Sequence, residues 1–207
     1  MSPHSLLLTL RGTPTLYYDD EIGMRHAVIS AYQVRDPFEK NVPGIGVGRD
    51  GCRTPMQWDG TKSAGFTEAD PWLPVPDNYR DQNVESCHED KGSLYWLYRR
   101  LINIRRKYVA LAKGSYAPLK AQGDLLLFCR ELGEERFLIA LNMGPEPIAV
   151  SSADKIFLGR VVLSSFVDRE GEEVRCGIDL RGNEGLLVKL SPDQPGSECT
   201  ETSRNPK

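Results

Sequence analysis

Twelve consecutive residues, GRDGCRTPMQWD at positions 48–59, hold the side chains in this sequence best suited to contacting a ligand. They bring two arginines, a glutamine, a tryptophan and two acids together around glycine and proline turns. An aromatic ring can stack on the face of a sugar, and a guanidinium can direct a planar fork of N–H groups at hydroxyls. The stretch therefore has the residue types that a carbohydrate-binding pocket needs.

A second group of polar side chains, Asp-Asp-Glu at 19–21, follows an apolar stretch. The leucine-rich residues 6–10 predict the end of a buried helix, with Gly12 as its stop signal. Residues 13–18 are β-branched and aromatic and predict a short strand. Helix, glycine, strand and polar strand end form the αβ step of an α/β fold. Because the C-terminal strand ends of a parallel barrel form its active-site face, residues 18–24 are expected at or beside a site.

Three stretches in this order resemble the α-amylase superfamily, glycoside hydrolase family 13, in its α-glucosidase and oligo-1,6-glucosidase branch. They are residues 6–24, residues 48–59 and the GF…PWLPV residues at 65–75. The resemblance covers residues 5–112 strongly and the remainder loosely. It implies that residues 13–18 are the last strand of a (β/α)8 barrel and that α-glucosides or oligosaccharides are the substrate. One departure is Asp19, where the family usually has glycine.

The resemblance gives Arg53 a role, because in the family the arginine directly before TPMQW hydrogen-bonds hydroxyls of the glucose at the non-reducing end. Arg53 is thus implied to be a substrate-binding residue. Composition alone favours instead a structural ion pair of Arg53 with Asp50 or Asp59. It also favours core packing over a sugar platform for Trp58. Both alternatives stay open at this point.

Catalytic carboxylates are not expected in this sequence. A retaining glycosidase needs a nucleophile and an acid/base about 5–5.5 Å apart on opposite sides of the sugar bond. In the family these two residues and a third, stabilising aspartate lie upstream of the segment that this sequence matches. Asp20 and Glu21 cannot replace them, since adjacent residues of an extended chain point to opposite faces. We therefore expect the chain alone to be inactive, with no catalytic residue, metal ligand or cofactor of its own.

The elements around these motifs follow from pattern and composition. Residues 22–32 predict a short helix, and residues 61–90 a polar, turn-rich loop. His88 lies among acids there, but such a loop is more often solvated surface than a metal site. Residues 92–114 follow the helical i, i+3, i+4, i+7 pattern and end at Gly114. The arginines of this helix are split between its faces, so a nucleic-acid-binding stripe is not expected.

After residue 114 the hydrophobic period changes to two. Strands are predicted at 125–129, 136–143, 148–151, 160–165 and 185–190, separated by glycine-containing turns. Short strands at this spacing predict an antiparallel β-sandwich. The expected fold is α/β plus β, with the C-terminal part of a barrel at 1–113, a sandwich at 114–192 and a disordered tail at 193–207.

Bulk properties narrow the remaining functions. A net charge of −3 gives no support for nucleic-acid binding, and no apolar run approaches the ~20 residues of a membrane span. The five cysteines are scattered, which indicates neither a zinc site nor a disulfide framework and favours a reduced cytoplasm. Residues 1–10 have no basic start and no small-residue cleavage site, so a signal peptide is not expected there. The resemblance implies that the chain is the C-terminal portion of a retaining α-glucosidase. The alternative is a non-catalytic scaffold or carbohydrate-binding subunit that completes a barrel supplied by an upstream polypeptide.

Overall fold

The structure is a computed structural model that describes residues 7–150 and 157–192. The predicted tail at 193–207 lies outside the described residues. Besides the helical residues 7–9, the α-helices are α1 (Pro37–Asn41), α2 (Val84–Glu89), α3 (Leu94–Lys107) and α4 (Val109–Lys113). Three short 3-10 helices lie at Asp50–Cys52, Lys62–Gly65 and Asp77–Arg80. The strands are β1 (Ser115–Gln122), β2 (Leu125–Leu132), β3 (Glu135–Asn142), β4 (Ile148–Val150), β5 (Leu158–Ser164), β6 (Glu173–Arg175), β7 (Ile178–Leu180) and β8 (Gly185–Leu190). No helix in the described part of the chain is long and apolar enough to cross a lipid bilayer.

By their contacts, the residues form two compact units. The sheet unit comprises the described residues of Met1–Thr15 and Leu97–Lys207, and the loop unit comprises Leu16–Trp96. The sheet unit therefore includes residues from the start of the chain as well as the strands. The predicted domain boundary after residue 113 refers to the domains of the complete family fold, which these contacts do not test, so it stays a prediction.

The sheet unit contains an antiparallel six-stranded sheet in the order β1-β2-β3-β8-β5-β6, and a two-stranded sheet of β4 and β7. Between the two sheets lies a hydrophobic core to which β4 contributes Val150 and β7 contributes Ile178 and Leu180. This core meets the large sheet at Leu138 and Val188, among others. An antiparallel β domain after residue 114 is thus confirmed, and its layers are consistent with the predicted sandwich.

The opposite face of the large sheet is also covered. Helix α4 packs against β2 and β3, and the Tyr108 ring lies 4.9 Å from the Phe137 ring, centroid to centroid. Thr9 and Leu101 line a small cavity together with apolar side chains of the sheet, Leu141 among them. Burial on both faces explains why β2 and β3 show nearly continuous apolar sequence.

The prediction of a helix at residues 92–114 is confirmed, except that the residues form two helices, α3 and α4, in place of one. Tyr108 has extended backbone angles and separates α3 from α4, which places its ring against Phe137. Gly114 ends α4, as expected. A Cβ at this position would lie 2.3 Å from the carbonyl oxygen of Ala110 and 2.7 Å from that of Glu131, so only glycine fits.

Two predictions for residues 13–32 are wrong. Residues 13–18 form no strand, because among the described residues nothing pairs with their backbone groups in a ladder. Residues 22–32 form no helix. Instead, a turn places the amides of Ile22 and Gly23 on the carbonyl of Asp19, and the amide of Ala27 bonds the carbonyl of Gly51, 2.9 Å away. This long-range bond replaces the helical bond that the amide would otherwise make.

Three strands were not predicted. Strand β1 contains Pro118 and is mostly exposed, so it lacks a clear alternation, and β6 and β7 are three residues each. Among the described cysteines, Cys52, Cys87 and Cys176 are free.

Candidate functional site

A buried carboxylate, that of Asp36, organises the loop that leads into the RTPMQW residues. Its Oδ1 accepts a hydrogen bond from the amide of Phe38 at 2.8 Å and so caps α1. Its Oδ2 accepts from the amide and the Nε of Arg49, at 3.2 and 3.1 Å. The hydrogen bond from Phe38 and those from Arg49 hold the pKa of this carboxyl below its usual value. Asp36 is therefore ionised at neutral pH and fixes both ends of residues 36–49.

Arg53 lies beside this carboxylate. Its Nη1 is 3.8 Å from the Asp36 Oδ2, and its side chain is 36% exposed while that of Asp36 is 0% exposed. The acids proposed as structural partners are occupied elsewhere. Asp50 accepts the amides of Arg35 and Asp36, and Asp59 caps the turn at Thr61. The ion-pair partner of Arg53 is thus Asp36 and neither of the two predicted acids. About a third of the Arg53 side chain remains open to a ligand.

Tyr18 of the first motif stretch contacts Thr54 of the second within the loop unit. The Tyr18 hydroxyl donates to the carbonyl oxygen of the buried Thr54 at 2.6 Å. Burial, followed by the charge of Asp19, raises the pKa of Tyr18 to about 12. The phenol is therefore neutral near pH 7 and remains a donor to the residue next to Arg53.

Asp19 occupies a backbone conformation that favours glycine, with φ of +72°. Burial, and then the charges of Asp20 and Glu21, raise the pKa of the Asp19 carboxyl to about 6. Asp20 accepts the amide of Tyr17 at 3.0 Å and so closes the turn. These acids form a turn, with no pair of carboxyls placed across a bond.

The residues after Arg53 pack into the loop unit. Met56 forms a small core with Ile22 and Cys87. Gln57 is completely buried, and its amide oxygen can accept the amide of Tyr79 at 3.0 Å. Trp58 is 50% exposed, so the core-packing interpretation of this side chain is wrong. The four consecutive buried residues of TPMQ leave Arg53 and Trp58 accessible at their two ends.

His88 lies among aromatic rings. Its ring centroid is 5.7 Å from that of Tyr95 and 5.4 Å from that of Trp96, and the Trp96 indole donates to the His88 carbonyl at 2.9 Å. Across residues 7–150 and 157–192, no three His, Cys, Asp or Glu side chains converge in the way a metal site requires.

Comparison with known proteins places these features in a family. Residues 3–114 match the family model described as alpha amylase, catalytic domain. The chain is 36% identical over 142 residues to a probable alpha-glucosidase of Rhizobium meliloti, covering 69% of this chain and 26% of that protein. It is 30% identical over 207 residues to the oligo-1,6-glucosidase of Parageobacillus thermoglucosidasius, covering 90% of this chain and 37% of that protein. This chain belongs to the α-amylase family.

A solved structure agrees with the assignment. The trehalulose synthase MutB of Pseudomonas mesoacidophila MX-45 superposes with a TM-score of 0.82 at 27% identity, over 92% of this chain and 38% of that one. The α-amylase-family chain therefore spans about a quarter to two fifths of the length of the relatives it matches. The resemblance to the α-glucosidase and oligo-1,6-glucosidase branch is confirmed.

Sequence reasoning missed Asp36 as the partner of Arg53. A signal was present, because Asp36 directly precedes Pro37, and an acid before proline is a typical helix start. Recognising that cap would have placed a fixed carboxylate upstream of Arg53. The loop closure that brings the two together is a long-range contact, and local pattern does not reveal such contacts.

Proposed function

We propose that this chain is the C-terminal portion of a retaining α-glucosidase-type hydrolase that acts on terminal α-glucosidic bonds. In this proposal the nucleophile and the acid/base come from a polypeptide region outside these 207 residues. The chain supplies the last barrel segment, the helix α3 and the appended β domain. Relatives named as alpha-glucosidase and oligo-1,6-glucosidase support this substrate class.

The observation that carries the proposal is the pairing of Arg53 with Asp36. A buried, ionised carboxylate holds one edge of the guanidinium at 3.8 Å, while a third of the side chain stays exposed. Such an arginine is pre-oriented, so less rotamer freedom is lost when its remaining donors bind the hydroxyls of a terminal glucose. Arg53 is thereby proposed as the substrate-binding residue.

Exposed apolar side chains in the loop unit support the proposed upstream barrel region. Val28 is 94% exposed and Tyr32 87%, and Tyr17 and Trp72 are about half exposed. We propose that another polypeptide region covers these exposed side chains in the complete protein. Residues 13–18, which form no strand among the described residues, would find their ladder partner in a neighbouring barrel strand.

The proposal can be tested by comparing the activity of the chain alone with that of a chimera that contains the missing catalytic carboxylates. The purified chain alone is expected to release no p-nitrophenol from p-nitrophenyl α-glucoside, because removing catalytic residues costs many orders of magnitude in rate. A chimera should be active in which this chain replaces the matching part of the P. thermoglucosidasius oligo-1,6-glucosidase. Turnover by the chain alone, or a folded chimera without activity, would contradict the proposal.

The second candidate is a non-catalytic subunit that completes a barrel in trans. The exposed apolar residues of the loop unit favour it as much as they favour a covalent continuation. The two candidates can be distinguished by mixing the purified chain with the upstream part of the P. thermoglucosidasius oligo-1,6-glucosidase, expressed as a separate polypeptide. Activity recovered from two chains at micromolar concentration supports the subunit, whereas activity only in the covalent chimera supports the hydrolase portion.

A further inference from the structure

Two arginines of the sheet unit direct their guanidiniums at main-chain carbonyls. Arg105, on α3, has its Nη1 2.8 Å from the carbonyl oxygen of Leu8 and 3.0 Å from that of Leu10. Its Nη2 donates to the carbonyl of Gly12. One side chain thus reaches three carbonyls within residues 8–12, at the end of the helical residues 7–9.

Arg130, on β2, does the same from the sheet. The residue is completely buried. Its Nη1 lies 2.6 Å from the carbonyl oxygen of Thr9, its Nη2 3.1 Å from that of Gly114, and its Nε 2.9 Å from that of Ser115. Arg130 therefore ties the start of the described chain to the end of α4.

The two guanidiniums share one acceptor. The carbonyl oxygen of Leu111 receives Nη1 of Arg105 at 2.7 Å and Nη1 of Arg130 at 2.8 Å. Burial, and then the charge of Arg105, lower the pKa of Arg130 to about 10, so it stays protonated at neutral pH. Carbonyls at helix ends carry partial negative charge, which stabilises two cations at this point.

We infer that Arg105 and Arg130 form a double C-cap that locks residues 8–12 into the sheet unit. The lock is local, because it acts on the carbonyls of a segment that ends the helical residues 7–9 and pairs with no strand of the described residues. Leu8 and Thr9 are each 2% exposed, which shows that the segment packs where the arginines hold it. The inference concerns this chain's own folding and does not depend on the proposed hydrolase function.

The shape of the guanidinium is essential to this role. Arginine has five N–H donors in a rigid plane, whereas the ammonium of lysine has three donors at one point. A lysine at position 105 keeps the charge near the helix end but cannot span the carbonyls of Leu8, Gly12 and Leu111. Replacing Arg105 with lysine therefore removes the Arg105 half of the lock while it leaves the helix-dipole interaction of α3 in place.

Trypsin cleavage after Arg11 measures the lock directly. Arg11 and Gly12 are both exposed, so cleavage is limited by local opening of residues 8–12. In the full chain, Arg105→Lys should accelerate cleavage of the Arg11–Gly12 bond at least tenfold. Arg106→Lys is the matched control on the same helix, where Arg106 is exposed, and it should leave the rate unchanged. Cleavage after Lys120 in β1, followed by mass spectrometry in the same reaction, reports opening of the sheet itself.

The outcomes separate a local lock from general stability. A faster trypsin cleavage after Arg11, with an unchanged cleavage rate after Lys120, supports the double cap. An unchanged rate at Arg11 in Arg105→Lys would overturn it, and so would an equal rise at both sites, which would assign the arginines to overall stability. Arg130→Lys tests the buried partner in the same way, but the partly exposed Arg105 carries the test because its variant disturbs the core least.

Discussion

The phenolic oxygen of Tyr18 lies 2.6 Å from the carbonyl oxygen of Thr54, and this bond joins the two stretches that carry the family resemblance. One stretch includes the helical residues 7–9 at the start of the described chain, and the other contains Arg53. The bond therefore determines where the backbone next to Arg53 lies. A role for Arg53 in binding depends on this backbone position.

Removing the Tyr18 hydroxyl should loosen the loop unit. In Tyr18→Phe the buried carbonyl of Thr54 loses its donor, and an intramolecular hydrogen bond contributes roughly 0.5–1.5 kcal/mol to stability. We expect the free energy of unfolding, measured by urea denaturation, to fall by about that amount. Tyr17→Phe is the matched control on the neighbouring, half-exposed tyrosine. Equal stability of the two variants would show that the Tyr18 bond contributes nothing.

Asp19 should make the chain less stable as the pH rises from about 4 to about 6. Its pKa is raised from 3.8 to about 6 in the folded state, so the folded chain binds the proton more tightly than the unfolded chain. The stabilising contribution is complete below the unfolded pKa and is lost as the pH rises through the folded pKa. Asp19→Asn should abolish this part of the pH dependence.

Thermal melts of Asp19→Asn and the unmodified chain between pH 4 and pH 7 test this expectation. Asp19→Gly should remove the same pH dependence and in addition raise the melting temperature at pH 7, because glycine adopts the φ of +72° without strain. Parallel melting curves for all three proteins across this pH range would show that Asp19 does not titrate as described.

Much of the fold follows from the sequence, and the exceptions have physical causes. The pattern of Leu97 and Leu101 predicts α3, and the alternation in β3 and β8 predicts the sheet, because each is buried within one unit. The predictions of a strand at 13–18 and a helix at 22–32 failed, because the structure of these residues depends on partners far away in the sequence. In the site, Arg53 could be named from a motif, but its partner Asp36 could not, because the loop that closes between them has no period.

Asp36→Asn should loosen the ends of the loop that Asp36 fixes. The substitution removes the charge that accepts the amides of Phe38 and Arg49. Hydrogen exchange at these two amides should accelerate, whereas Asp50→Asn should instead accelerate exchange at the amides of Arg35 and Asp36. The same pattern of exchange in both variants would contradict separate roles for the two acids.

Because hydrogen bonds lower the pKa of Asp36, its stabilising contribution should be present near pH 7 and lost as the pH falls through the folded pKa. In Asp36→Asn the loss of stability at low pH should therefore become smaller. For Asp19 the stabilising contribution is instead lost as the pH rises, so the same set of thermal melts distinguishes the two variants.

The measurement that tests the account most directly is kcat/KM of Arg53 variants in the chimera with the P. thermoglucosidasius enzyme. Losing a hydrogen bond from a charged group costs about 1.5–3 kcal/mol, which corresponds to roughly a tenfold to hundredfold loss. Arg53→Ala and Arg53→Lys should both lose activity to this extent, while Arg49→Lys, whose side chain is 62% exposed, should lose less. If Arg53 serves only as the ion-pair partner of Asp36, the melting temperature should fall instead. Unchanged kcat/KM in a folded Arg53→Ala chimera would contradict its role in binding substrate.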